Sequence, residues 1–360
     1  MPERQVANKM KIIFKRTTPN YRNILSTQEI MLYLTITLLI VSAVSAGYYF
    51  TLGADYGIKA VLMIAVSLIS AYLCEAAYFY MLKEKDILKA VNRSFPYVTA
   101  ILFALILPIG TPYYVVISGS LFSILIGKLI FGGFGQNIFN PALIGRVFVM
   151  MSYGDKLTAV LPSKAVDSVS GATPTTMLSG TGWSGNVGVS LTNLYIGFYK
   201  GSIGETFALL IIILGIFLAI KKVLDWRLPV FYIGTSFIIT FITALVHGLS
   251  PFGFALVQIG IGGLIFGGVF MLTDPVTSPS SPYGKIIFAI GAAFFTMLLR
   301  YRSNMPEGVL YSILIMNMLT PMIDRYTISP TNENENRKKI YVIGLIGISA
   351  LLITLFWRGA

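Results

Sequence analysis

Of the 360 residues, 55% are hydrophobic and only 12% charged, whereas a water-soluble domain carries about a quarter charged residues, so a soluble fold is excluded and the chain reads as an integral membrane protein. Cys74 is the sole cysteine, which excludes an intrachain disulfide and an iron–sulfur cluster ligated by this chain alone, since such a cluster needs about four thiolates. The net charge of +12 does not imply nucleic-acid binding, because apolar runs part the basic residues instead of letting them share a polar face.

Residues 1–29 hold six basic residues and no apolar core ahead of a small-residue cleavage site, so they read as a cytoplasmic tail and not as a secretory signal. A bilayer core about 30 Å thick takes roughly 20 apolar residues per helix, with the backbone hydrogen-bonded internally. On that measure 30–50 is a spanning helix and 60–82 a second, with Glu75 inside it. The 33 uncharged residues of 95–127 follow, split by Leu107-Pro108-Ile109-Gly110-Thr111-Pro112 into two short crossings. Further spans are expected at 138–151, 206–220, 228–246, 254–272, 286–299, 309–322 and 341–357. The fold class is therefore all-α, a polytopic membrane protein of about 10–11 transmembrane helices.

Short cytoplasmic loops collect Lys and Arg. The tail, the 83–93 loop, the loop with Lys221, Lys222 and Arg227, and the 325–339 loop follow zero, two, six and ten of these crossings, all even, and so share one side. Arg300 and Arg302 fall on the other side as exceptions. The longest hydrophilic connection, 152–204, follows five crossings and is expected on the outer face; connections of such length are functional or disordered. The expected division is a tail at 1–29, a first transmembrane repeat at 30–151, an outer loop at 152–204, a second repeat at 205–326, and a linker with a C-terminal transmembrane segment at 327–360.

Within the loop lies Asp167-Ser168-Val169-Ser170-Gly171-Ala172-Thr173-Pro174. Taken alone it is compatible with a flexible small-residue loop. A threonine hydroxyl beside Gly and Ala, ahead of a Pro that resists helix, can also be laid into a modifying enzyme's active site. A second block runs Gly132-Gly133-Phe134-Gly135-Gln136-Asn137-Ile138-Phe139-Asn140-Pro141-Ala142-Leu143-Ile144-Gly145-Arg146. Its glycines suit close backbone approach, and Pro141 is expected to break regular helix at membrane depth. Asn137 and Asn140 are three apart and share a face on a helical turn, where they either hold a ligand's donor and acceptor edge or cap a broken helix. A third block, Thr273-Asp274-Pro275-Val276-Thr277-Ser278-Pro279, closes an apolar helix with an acid. Ionisable groups in or at a span are costly and mark ion or cofactor paths. Glu75 is the ion-path candidate and Asp274 the cofactor-site candidate. Cys74 reads as a small packed side chain and His247 as an interfacial group.

The three blocks, in this order and with this hydropathy, resemble the RnfD and NqrB family over about residues 30 to 326. Asp-x-x-Ser-Gly-Ala-Thr resembles that family's flavinylation motif, in which a flavin transferase esterifies the final threonine with the phosphate of FMN. The resemblance implies covalent FMN at Thr173, within the context of Asp167, Ser170, Gly171 and Ala172, and a second, non-covalent flavin such as riboflavin near Asn137, Asn140, Arg146 and Asp274. It also implies a D-type component of an Rnf complex in the bacterial cytoplasmic membrane. Such a component carries electrons between ferredoxin and NAD while ions are moved. Its partners would be the other Rnf components, RnfA, RnfB, RnfC, RnfE and RnfG, which supply the iron–sulfur clusters that one cysteine cannot hold, together with the flavin transferase and membrane lipid. No nucleic-acid partner and no metal site are expected, and the coupled ion, Na or proton, is left open.

An internal echo is present. Leu129-Ile130-Phe131-Gly132-Gly133 recurs as Leu264-Ile265-Phe266-Gly267-Gly268, each copy followed by a polar residue and proline, Asn140-Pro141 or Asp274-Pro275. Each is preceded by a Pro-containing break, 108–112 or Ser250-Pro251, as in transport folds that pair discontinuous helices. The family resemblance implies two inverted five-helix repeats like those of urea channels, whereas the crossings counted here would make the copies parallel. The rival reading is a channel for a small neutral solute, because Leu107-Pro108-Ile109-Gly110-Thr111-Pro112 resembles a urea-channel stretch. A channel has no use for the acceptor context of Thr173.

Overall fold

In the computed structural model, which describes residues 25–157, 175, 178, 183, 189–199, 201–303, 308–327 and 335–357, every regular element is helical and a single β-bridge, Pro108 to Ser202, stands isolated. Helix α1, Thr27–Leu52, starts on a capping box: Glu29 N donates to Ser26 Oγ at 3.3 Å, and Ser26 N donates to Glu29 Oε2 at 2.7 Å. It is joined through Gly53 to α2, Ala54–Met81. A short amphipathic helix, α3, Ile87–Ser94, leads into α4, Pro96–Leu105, and then α5, Tyr113–Leu125. Helix α6 is Pro141–Tyr153, α7 Leu191–Ile196, α8 Ala208–Ile220 and α9 Arg227–Val246. Then come α10, Pro251–Gly260, and α11, Leu264–Met271, whose last five residues widen into a π-turn. The last three helices are α12, Pro282–Arg302, α13, Gly308–Thr327, and α14, Glu335–Phe356.

Helix α2 packs on α1, α4 and α5 in the first half, and α9 packs on α10, α12 and α14 in the second. One continuous core holds Phe103, Phe266, Phe270, Phe288 and Tyr232. Ile69 and Leu73 of α2, with Leu32 and Leu39 of α1, face outward, an arrangement at home against lipid tails and unfavourable in water.

The all-α polytopic class expected from the sequence is found, and the expected crossings of about 10–11 helices differ in length. Five helices among the described residues are long and apolar enough to span a bilayer, and α10 with α11, bent by 65°, makes a sixth. Helix α4, α8 and 340–356 are shorter apolar pieces, and α13 carries Asn317, Asp324 and Arg325. Short pieces are tolerated where freed carbonyls find protein donors. At the end of α4, Gly204 N donates to Leu105 O at 2.8 Å and Ile203 N to Leu107 O at 3.0 Å.

Two proline expectations are also revised. Pro141 and Pro251 each occupy the first turn of a helix, where the missing N–H has no intrahelical partner to lose. The second break instead lies at 261–263, where Gly262 and Gly263 adopt φ of 63° and 65°, a left-handed conformation that disfavours side chains. Arg300, fully buried, supplies the donors there: Nη1 to Gln258 O at 2.5 Å and Nη2 to Ile261 O at 2.8 Å. This explains the exception that Arg300 made to the charge pattern, since it is a core residue and not a loop residue. Arg302 lies 5.9 Å from the Phe356 ring.

The chain segments that carry the basic loops meet at one end of the bundle. The start of α1, the start of α4 and the turn after α8 border one cavity, and Lys285 at the start of α12 pairs with Asp225 before α9 at 3.0 Å. At the opposite end Phe198 stacks on Tyr48 of α1, with centroids 5.4 Å apart, and Trp183 meets Tyr301 at 6.1 Å.

Candidate cofactor cavity

The cavity at the basic end is walled by Phe95, Lys128, Phe134, Asn137, Asn140 and Asp274, among others, and holds about 750 Å³ of space free of atoms, part of it open to the outside. Two strands of argument from the sequence meet here, for the two polar-proline pairs of the echo, remote in sequence, line the same space.

The glycine block builds one wall. Gly132, Gly133 and Gly135 adopt φ of 110°, 95° and 86°, and a Cβ at Gly133 or Gly135 would meet nothing within 4 Å. Left-handed backbone, rather than the expected close approach, is what requires glycine there. The resulting irregular loop swings Phe134 onto Phe95, with ring centroids 5.0 Å apart at 63°. Asn137 and Asn140 lie in this loop and not on a helical turn, so they converge through loop geometry. Asn137, 7% exposed, donates from Nδ2 to Phe139 O at 3.0 Å, and its oxygen accepts from none of the described residues. Asn140, 2% exposed, accepts from Ala142 N at 3.1 Å as the cap of α6, while its Nδ2 reaches Met271 O at 3.4 Å.

Asp274 forms the facing wall. Its Oδ1 accepts from Val276 N and its Oδ2 from Thr277 Oγ1, both at 3.2 Å, which folds the 274–277 turn around the carboxylate. A carboxylate has about four acceptor positions, so both oxygens keep capacity toward the cavity.

A residue absent from the sequence-derived candidates supplies the charge. Lys128, 2% exposed, donates from Nζ to Glu75 Oε1 at 2.6 Å and to the Ser94 carbonyl, and lies 5.7 Å from the Phe134 ring centroid. Glu75 is fully buried behind it, and its Oε2 has no hydrogen-bond partner among the described residues. Thus the expected ion-path acid is held in a buried ion pair at the cavity wall. Matching each acid inside a span with a base inside another would have found Lys128. Arg146 is buried on α6 and is not part of the wall. Asp167, Ser170, Gly171, Ala172 and Thr173 lie outside the described residues. Among the described residues no group of His, Cys, Asp and Glu is suited to a metal. Cys74 is buried and free, and His247 is exposed against Trp357, 4.0 Å between centroids.

Residues 15–332 match the NQR2, RnfD, RnfE family. The chain belongs to that family. A relative from Clostridium ljungdahlii, the D component of a proton-translocating ferredoxin:NAD(+) oxidoreductase complex, is 38% identical over 281 residues, covering 76% of this chain and 84% of its own. The Na(+)-translocating counterpart from Acetobacterium woodii is also 38% identical, over 313 residues, with coverage of 86% and 92%. The B component of the Na(+)-translocating NADH-quinone reductase of Chromohalobacter salexigens is 36% identical over 241 residues, 66% of this chain and 58% of its own. Two family members with different named ions thus stand at equal identity, and overall likeness does not select the ion.

Proposed function

We propose that this chain is the membrane subunit of an ion-translocating ferredoxin:NAD oxidoreductase complex and carries electrons through flavin. Its partners in this reading are the other components of such a complex, RnfA, RnfB, RnfC, RnfE and RnfG, and a flavin transferase. The observation that carries the reading is the convergence of Asn137, Asn140 and Asp274 on one cavity, in a chain whose relatives are named as D components of such complexes. A flavin bound there would supply reversible electron uptake. The chain's own part is to hold and orient it. Asn137 Oδ1 can accept from a ring N–H, the amide nitrogens can donate to carbonyl oxygens, and the Asp274 carboxylate can accept from a ribityl hydroxyl or a ring N–H. Phe95 and Phe134 offer an aromatic, water-excluding side.

Thr173 is proposed as the acceptor of a second flavin, FMN in phosphoester linkage, on the outer face. The support is the motif of Asp167 to Thr173 and the placement of Trp183 and Phe198 at the end of the bundle opposite the basic loops. A tether keeps the local flavin concentration high and prevents its loss. The channel reading gains nothing from the broken helices, because protein donors already take the carbonyls freed after α4 and at 261–262.

The test is direct. Co-expressed with its flavin transferase, the chain gives a flavin-fluorescent band that survives denaturing electrophoresis, and Thr173→Val abolishes it while membrane insertion persists. Acid extraction of the purified protein then releases the second, non-covalent flavin. Fluorescence that survives Thr173→Val refutes the acceptor, and an extract without flavin refutes the cavity assignment.

A further inference from the structure

Buried charges act over distance without the screening that water and salt provide. The Lys128–Glu75 pair is such a case, with exposures of 2% and 0% and a 2.6 Å contact. It is also oriented. Lys128 lines the cavity and Glu75 does not, so the positive end of the pair faces the space and the negative end stands behind it. Phe134, 5.7 Å from the ammonium, and the Ser94 carbonyl hold that orientation. The opposing charge on the wall is Asp274, whose carboxylate is already engaged by Val276 N and the Thr277 hydroxyl.

We infer that the Lys128–Glu75 pair sets the reduction potential of the electron carrier bound in this cavity, Lys128 raising it and Glu75 lowering it. The inference rests on the cavity being a flavin site. An electron added to a neutral ring system leaves a negative charge in a place with little water. The nearer cation stabilises that charge and the more distant anion opposes it, so the oriented pair favours the reduced form. Neither residue gains or loses a bond in this role; both are positioning residues that act through the field.

The full-length chain, purified from membranes in a Thr173→Val background and supplied with riboflavin, is poised at the wild-type midpoint and its flavin absorbance read. Lys128→Gln should lower the reduced-to-oxidised ratio about tenfold, equal to about 59 mV for one electron, and Glu75→Gln should raise it about tenfold. Lys128→Arg keeps the charge and should hold the ratio within about threefold. Removing one partner of a buried pair also destabilises the fold. Should Lys128→Gln fail to accumulate, Glu75→Gln and Lys128→Arg decide, the first by a rise and the second by constancy. Shifts of the same sign in Glu75→Gln and Lys128→Gln, or none in Glu75→Gln, overturn this inference alone. A Thr173→Val chain that takes up no riboflavin overturns the flavin reading of the cavity and this inference with it.

Discussion

The Asn140 amide commits its oxygen to the N-terminus of α6 and turns its nitrogen toward Met271. The sequence left two readings open for this residue, cap or ligand, and the geometry assigns the cap without using up the amide. The two roles separate by substitution. Asn140→Ser keeps a neutral acceptor for the cap and should leave thermal stability near wild type while reducing extractable flavin. Asn140→Leu should lose both, with a stability cost of about 0.5 to 2 kcal/mol. Thermal melts beside acid extraction read the two effects, and Asn140→Ser with full flavin content would reduce the residue to a cap. Outside the spans, Asp225 offers a pH-dependent case. Burial alone would raise its carboxyl pKa, but the hydrogen bond from Lys285, the Arg227 N–H and the two nearby cations outweigh it and hold the value below the ordinary one. A depressed folded value stabilises the protein above the unfolded pKa of about 3.9 and the gain fades as pH falls through the folded value. Asp225→Asn should therefore melt lower at pH 7, by about 1 kcal/mol or less for so partly exposed a group, and the gap to wild type should close as the pH falls through the depressed folded value. At this scale the sequence marked Asn137, Asn140 and Asp274, because polar residues beside glycine and proline stand out in an apolar chain. It passed over Lys128, whose meaning depends on Glu75, a partner 53 positions away.

At the scale of elements, the length of apolar runs located the long helices α1, α9 and α12 within four residues and the end of α2 within one, but placed the start of α2 six residues late. Those runs were less informative about where a helix breaks. Prolines at 141 and 251 drew attention, yet they begin helices, and the real interruption lies in Ile261-Gly262-Gly263, where the tertiary partner Arg300, with the Tyr199 hydroxyl on Gly260 O, makes the bend tolerable. Arg300 lies 38 residues from Gly262 and leaves no local signal. Arg300→Leu should leave the Gln258 and Ile261 carbonyls without donors, each at about 1 to 3 kcal/mol, and sharply reduce the monodisperse fraction in detergent. Arg300→Lys should recover part of it, since a single ammonium cannot reproduce the guanidinium fork. Gly262→Ala meets a different obstacle. The new Cβ would lie 2.8 Å from Thr175 Cγ2 and 2.9 Å from Arg300 Nη2 at a φ of +63°, a conformation costing a non-glycine residue about 1 to 2 kcal/mol before any clash. A variant as stable as wild type would show that the break can relax.

For the molecule as a whole, the membrane class followed from composition and the all-α class from the length of the apolar runs, whereas repeat orientation did not. The two Leu-Ile-Phe-Gly-Gly copies take different forms, a 3₁₀ turn followed by left-handed glycines at 129–133 and a helical turn opening into a π-turn at 264–271. Identical local sequence thus meets different surroundings, so the inverted five-helix arrangement remains a proposal. Sidedness can be tested with thiol labelling in a Cys74→Ala background. Ser94 is a poor probe because it is buried, whereas Lys85 is exposed. In intact cells a membrane-impermeant reagent should label Ser163→Cys and spare Lys85→Cys; the reverse pattern would invert the proposed topology. One dimension of the fold has a further effect on energy conversion. The cavity touches Ile30 and Met31 at the start of α1, and Phe198 stacks on Tyr48 near its end. Met31 and Tyr48 lie 17 positions apart on α1, a rise of about 26 Å and so most of a bilayer core about 30 Å thick. In the proposed arrangement, with one carrier in the cavity and one on the loop, an electron passed between them would move through much of the membrane voltage, and every 100 mV would add or remove up to about 2.3 kcal/mol from that transfer. In that arrangement the exchange would itself be a current across the membrane, sensitive to voltage even before any ion has moved.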